Sequence, residues 1–226
     1  MIILENTHPG SETAPVQKKS AVLNVIAQFC SVILHPLFVP LWVTYFLLNV
    51  HPDLFVGFSA ADKSRTFLIV AVNLCFFPLL SVLLLKALGF IDSIMLKTTK
   101  DRIIPYMACG IFFFWAYLVF KRQPEYPGIL TAYTLGLFLS ASGALLANIY
   151  FKISMHAIGF GTLLGLFLYL FASNSMLMAW PLTLAILLTG LISSFRLYLQ
   201  SHQPVDIYAG LVLGIVAQYI AIISIL

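Results

Sequence analysis

The chain has 226 residues, of which 61% are hydrophobic and 9% charged, with a formal net charge of +4 and a mean hydropathy of +1.01. Soluble globular domains carry roughly 25% charged residues, so this composition excludes that class and leaves an integral membrane protein. The positive charge is small and dispersed, and no nucleic-acid partner is expected.

Residues 1–20, "MIILENTHPGSETAPVQKKS", read as a polar mobile N-terminal tail closing on Lys18 and Lys19. They hold no apolar stretch followed by a cleavage site, which argues against a cleaved signal peptide. Residues 21–226 read as a single transmembrane domain. A helical crossing needs about 20 predominantly apolar residues, and runs of that kind lie at about 22–50, 66–91, 104–120, 129–151, 156–173, 177–195 and 205–226. The expected fold is therefore all-α, a polytopic transmembrane helical bundle of six to seven spans. The first run is irregular: "LHPLFVPLW" puts Pro36 and Pro40 inside it, and proline removes a backbone donor and kinks a helix. It reads as one bent span or as a re-entrant pair. Cys30, Cys75 and Cys109 all sit in apolar runs without metal-site spacing and read as small core residues.

Counting crossings sorts the ionisable residues by membrane face. Lys97, Lys100, Asp101 and Arg102 lie between the second and third runs, Lys152 and His156 between the fourth and fifth, and Arg196, His202 and Asp206 between the sixth and seventh. Even numbers of crossings separate these groups, so they share one face. The positive-inside rule does not say which face it is, because the remaining cations nearly balance.

A face that collects two histidines, an aspartate and several cations has the parts to bind and cleave a phosphate. His202 and Asp206 stand four apart, one helical turn, and project from one side if the last helix starts near Ser201. The carboxylate can then hold the imidazole in one tautomer, and Pro204 suits a first helical turn. Arg196 offers a planar fork of donors for phosphate oxygens. In "YFKISMHAIGFG", residues 150–161, Ser154 is a plausible N-cap, and the free N–H groups of a helix start attract anions. The cap and phosphate-ligand roles of Ser154 are compatible. His156 follows in the first turn, where it could protonate a leaving oxygen, and Lys152 adds charge at the rim.

Together these residues resemble the type 2 phosphatidic acid phosphatase superfamily, membrane-embedded lipid phosphatases. Arg196, five residues, His202, three residues and Asp206 are similar to its third signature, S-R-x5-H-x3-D, and "ISMH" at 153–156 is similar to its second, P-S-G-H. The first, K-x6-R-P, is matched in part: Lys97 and Pro105 are in register, Ile104 stands where the arginine belongs, and Arg102 lies two residues earlier. The likeness runs from Lys97 to Asp206. It implies that His202 is the nucleophile forming a phosphohistidine, Asp206 its orienting partner and His156 the general acid. It further implies that Lys97, Arg102, Ser154 and Arg196 bind phosphate oxygens, and that no metal or other cofactor is used. The implied partners are membrane lipids and a lipid phosphate or polyprenyl (di)phosphate substrate, and the implied setting is a bacterial inner membrane. Phe195, Met155 and Ile104 depart from the signatures. The alternatives are a catalytically lapsed relative that binds phosphorylated lipid, or a lipid-to-lipid phosphotransferase.

Each reading has a plainer rival. Charges at a membrane boundary can simply snorkel to water, and Lys97, Lys100 and Arg102 could be ordinary topology signals. A transporter would carry ionisable groups at mid-bilayer depth in several spans, and this chain has almost none. His35 and His51, each beside a proline and without a charged neighbour in sequence, read as structural. Gly159, Gly161 and Gly165, with Gly210 and Gly214, form small-residue ridges expected to let the two histidine-bearing helices approach closely.

Overall fold

The computed structural model describes residues 20–173 and 175–226; the expected tail, with Lys18 and Lys19, lies outside them. The order is α1 (Ala21–Ile33), α2 (Val39–Val50), a short 3-10 turn (Pro52–Phe55), α3 (Ala60–Ala87), α4 (Thr99–Lys121), α5 (Gly128–Ala147), α6 (Met155–Ser173), α7 (Ser175–Tyr198) and α8 (Pro204–Ile225). Among the described residues there is no strand. Six helices, α3 to α8, are long and apolar enough to cross a bilayer. The molecule is an all-α membrane bundle.

The first apolar run is not one continuous helix. The α1 ladder ends at Leu34, whose N–H reaches the Cys30 carbonyl at 2.8 Å, and Leu34–Phe38 form a turn before α2 begins. Pro36 supplies no N–H and disfavours helical dihedrals at His35. After the break α2 descends along α6. Pro36 seats on Gly159, where a Cβ would come within 2.8 Å of it, and the Phe46 ring meets that of Phe167, centroids 4.8 Å apart. The other end of α1 stays near the end of α7, with Tyr198 Oη donating to the Ser20 carbonyl at 3.3 Å. The ladder widens at Phe46–Val50 in α2 and at Ala71–Phe76 in α3, where the two helices pack together.

Capping follows sequence. Ser59 and Asp62 close a reciprocal box at the start of α3, and Thr98 Oγ1 accepts from Asp101 N–H at 3.1 Å at the start of α4. At the end of α7, Gln200 takes a left-handed φ of 53°, Ser201 N–H returns to the Arg196 carbonyl at 3.1 Å, and the chain turns sharply towards α8.

The most extensive packing joins α6 and α8. A Cβ at Gly214 would collide with the Ile158 carbonyl, and one at Gly210 would stand 2.9 Å from the Ser154 carbonyl. Backbones therefore touch along this seam, as the glycine spacing predicts. Around the pair, α5 packs on α4 and α8, α7 on α6, and α1 on α7. The core runs through Leu130, Tyr133, Phe160 and Leu166, while Leu83, Ile111, Val212 and Ile223 face outwards, as lipid contact requires. All three cysteines are half-buried and unpaired.

Candidate active site

Three chain segments meet at the end of the bundle where α3, α5 and α7 finish and α4, α6 and α8 start. The connection before α6 is stitched to its neighbours through its main chain. Arg102 donates from Nη1 to the Ile153 carbonyl at 2.7 Å, Ser154 N–H to the Asp206 carbonyl at 3.2 Å, and Lys152 Nζ to the Ser201 carbonyl at 3.5 Å. Asn148 Nδ2 adds a bond to the Thr99 carbonyl at 2.8 Å. The three groups that parity assigns to one face thus share one end of the bundle.

His202, in the α7–α8 turn, is buried. Its Nδ1 lies 3.1 Å from the Lys152 carbonyl and 3.4 Å from Asp206 Oδ2. Both neighbours are acceptors, so Nδ1 carries the proton and Nε2 keeps a bare lone pair. Asp206 is itself held, because its Oδ2 accepts from Gln203 N–H at 3.0 Å as the α8 cap. Burial first, then the charges of Arg196, Arg102 and Lys152, push the imidazole down to about 4 against the pull of Asp206. At neutral pH it is uncharged. Burial and the same two arginines lower Lys152, with Asp206 opposing.

Three cations face one carboxylate here. Arg196, half-buried near the end of α7, has an Nε shut off from water without a hydrogen-bond partner among the described residues. Arg102 is 2% exposed and spends Nε on the Leu96 carbonyl at 2.9 Å besides Nη1 on Ile153, which leaves its Nη2 donors uncommitted by these bonds. A cavity of about 600 Å³ opens beside His202, with Lys152, Gln200, Asp206, Phe151 and Leu197 in its wall.

The other expected residues fall as follows. Ser154 is fully buried and caps α6, its Oγ accepting from Ala157 N–H at 3.4 Å. His156 is buried in the first turn of α6, with Nε2 3.0 Å from the Ser31 carbonyl, so that nitrogen carries its proton. The charge of Arg196 reaches both His156 and His202. Lys97 is exposed on the α3–α4 connection and makes no hydrogen bond or ion pair among the described residues; its neighbour Leu96, with a φ of 49°, turns inwards to Arg102. Ile104 lies on the outer side of α4, 41% exposed, whereas Arg102 two residues before it points into the bundle. Met155 packs against the small apolar cluster around Ile153 and Ile158. His35, which sequence reads as structural, stands in this assembly, its ring 5.3 Å from that of His156 and crossing it at 78°. Among the described residues no three His, Cys, Asp or Glu side chains converge as a metal-ligand set.

No family model, curated protein or solved structure matches the chain.

Proposed function

We propose that this protein is an integral membrane phosphatase that hydrolyses a phosphomonoester or diphosphate of a lipid or polyprenyl substrate, with His202 as nucleophile. The observation that carries the reading is the setting of His202: Nδ1 on the Lys152 carbonyl with the Asp206 carboxylate 3.4 Å away, Nε2 without a hydrogen-bond partner among the described residues, and the charges of Arg196, Arg102 and Lys152 around the ring. Neutral imidazole is the nucleophilic form, and fixed cations stabilise charge on a transferring phosphoryl group. The resemblance of the Arg196, His202 and Asp206 spacing to the lipid phosphatase signature points the same way, with a bacterial inner membrane as the setting.

In this scheme Nε2 of His202 attacks phosphorus, and the bond from phosphorus to the lipid oxygen breaks. His156, with its Nε2–H on the Ser31 carbonyl, takes up at Nδ1 the proton that a monoprotonated substrate phosphate brings and passes it to the leaving oxygen. Asp206 steadies the positive charge that develops on the His202 ring. Arg196, Lys152 and Arg102 hold the equatorial oxygens, and water then cleaves the phosphorus–nitrogen bond to release phosphate. Phe151 and Leu197 in the cavity wall suit an acyl or prenyl chain beside the headgroup.

The test is phosphate release from a panel of lipid phosphates and a polyprenyl diphosphate in detergent, with and without chelator. Wild type, His202→Ala and His156→Ala are compared. Turnover by wild type that disappears in His202→Ala supports the reading; no turnover by folded wild type on any substrate overturns it in favour of a phospholipid-binding protein. Transfer to an added lipid alcohol in place of water would make it a phosphotransferase.

A further inference from the structure

His35 lies far from the motif residues in sequence, yet it touches one of them in space. The break at Pro36 brings it there. Without the break, α1 would run on and carry His35 past the start of α6; with it, the turn folds back and Pro36 seats on Gly159, one turn into that helix. Two groups from the α1 end then bracket His156: the Ser31 carbonyl on Nε2 at 3.0 Å, and the His35 ring crossing the His156 ring at 78°.

Each contact fixes a different degree of freedom. The carbonyl holds one nitrogen, but a single hydrogen bond leaves the ring able to rotate about it. A second ring set across the first removes that rotation. His35 is itself fixed, since its Nδ1 accepts from Leu37 N–H at 3.2 Å, so the lone pair that would take up a proton is already engaged. The titratable and charged groups facing His156 are Arg196 from α7, His202 from the α7–α8 turn and His35 from the α1–α2 turn. Of these, His35 alone makes ring contact with it among the described residues.

We infer that His35 is a positioning residue for His156: together with the Ser31 carbonyl it sets the imidazole plane so that the Nδ1 lone pair faces the substrate, takes up the proton a monoprotonated phosphate brings and hands it to the leaving oxygen. This rests on the phosphatase reading, in which His156 is the acid. It gives the broken first helix a chemical purpose beyond packing.

The experiment uses the full chain in detergent and compares wild type, His35→Ala and His35→Phe on two substrates, an alkyl lipid phosphate and an aryl phosphate. Expulsion of an alkoxide needs the acid, whereas a phenolate leaves with little help. His35→Ala should lower kcat on the alkyl substrate by about 10- to 100-fold, the scale of losing a supporting contact to a functional histidine, with KM nearly unchanged. The loss on the aryl substrate should be several-fold smaller, and His35→Phe, which restores a crossed ring, should recover much of the alkyl activity. Equal loss on both substrates, or none, overturns the inference while leaving the phosphatase reading intact. If wild type turns over neither substrate, the phosphatase reading fails separately. Nitrogen-15 histidine spectra, with the His156 signals assigned through His156→Gln, then decide the pairing: altered His156 tautomer signals in His35→Ala support it, and unchanged signals overturn it.

Discussion

Arg102 Nη1 donates to the Ile153 carbonyl at 2.7 Å while Nε of the same guanidinium holds the Leu96 carbonyl at 2.9 Å, so one side chain on α4 ties together two connections. Lysine could not span both carbonyls from one compact head. Arg102→Lys should therefore leave a buried carbonyl unpaired and cost about 2–4 kcal/mol. Thermal unfolding in detergent would register this as a lower midpoint, and in the phosphatase reading phosphate release should fall with it because the strut sets the position of Ser154.

The state of His202 predicts the acid behaviour of the protein. Its folded-state value of about 4 lies below its ordinary 6.5. The unfolded chain takes up a proton there first, so this residue's contribution to stability is present in full above about pH 6.5, falls as pH drops and levels off below about 4. Unfolding midpoints from pH 8 to 4 should show that decline, and His202→Gln should make it shallower, the remainder coming in part from His35, which burial and the Arg196 charge also lower to about 4. In the phosphatase reading the nucleophile also stays neutral well below pH 6, so the acid limb of kcat/KM set by His202 should lie near 4.

Asp206→Asn separates charge from capping. An amide oxygen can still accept from Gln203 N–H, so stability should change by no more than about 1 kcal/mol. The imidazole loses its anionic partner, and in the phosphatase reading kcat should drop by about 10²–10⁴-fold, the range associated with acid–base and orienting groups. Parallel measurements of unfolding and phosphate release check both halves, and an unfolding shift as large as the activity loss implies would contradict the assignment.

Gly214 and Gly190 form a matched pair of tests. A methyl at Gly214 meets the Ile158 carbonyl and stands 2.7 Å from Thr162 N, whereas one at Gly190 meets nothing within 4 Å. Gly214→Ala should force α6 and α8 apart at a cost of about 1–3 kcal/mol, loosening the Ser154 to Asp206 bond and lowering activity. Gly190→Ala should be neutral or stabilising by up to about 1 kcal/mol. Equal unfolding midpoints for the two variants would refute the close seam.

Much of this architecture is legible in the sequence because a bilayer imposes simple rules. Apolar runs mark the long helices, and counting crossings brings Arg102, Lys152 and His202 to one end without any knowledge of packing. The spacing of His202 and Asp206 already places them on one side of a helix start. Other features depend on contacts that no local pattern records. His35 is an isolated histidine beside a proline, and its partner lies in α6, so only the folded chain reveals the pair; the proline marks the break but not what the break serves. The inward turn of Arg102 and the outward one of Ile104 depend on helical phase, which starting the third span near residue 104 conceals, because α4 already begins at Thr99. Lys97 matches a signature by spacing alone, and spacing does not fix the path of a loop.

The Nε of Arg196, buried without a hydrogen-bond partner among the described residues, has a further meaning. A buried donor without an acceptor is a standing loss of stability, and Arg102 and Lys152 nearby add repulsion. Replacing Arg196 with methionine should make the empty protein harder to melt, since an apolar side chain of similar length relieves both strains. Orthovanadate or inorganic phosphate should do for the native protein what methionine does for the variant, raising its melting point by mass action. In the phosphatase reading, a side chain that weakens the fold when vacant and strengthens it when filled serves its guest rather than its host.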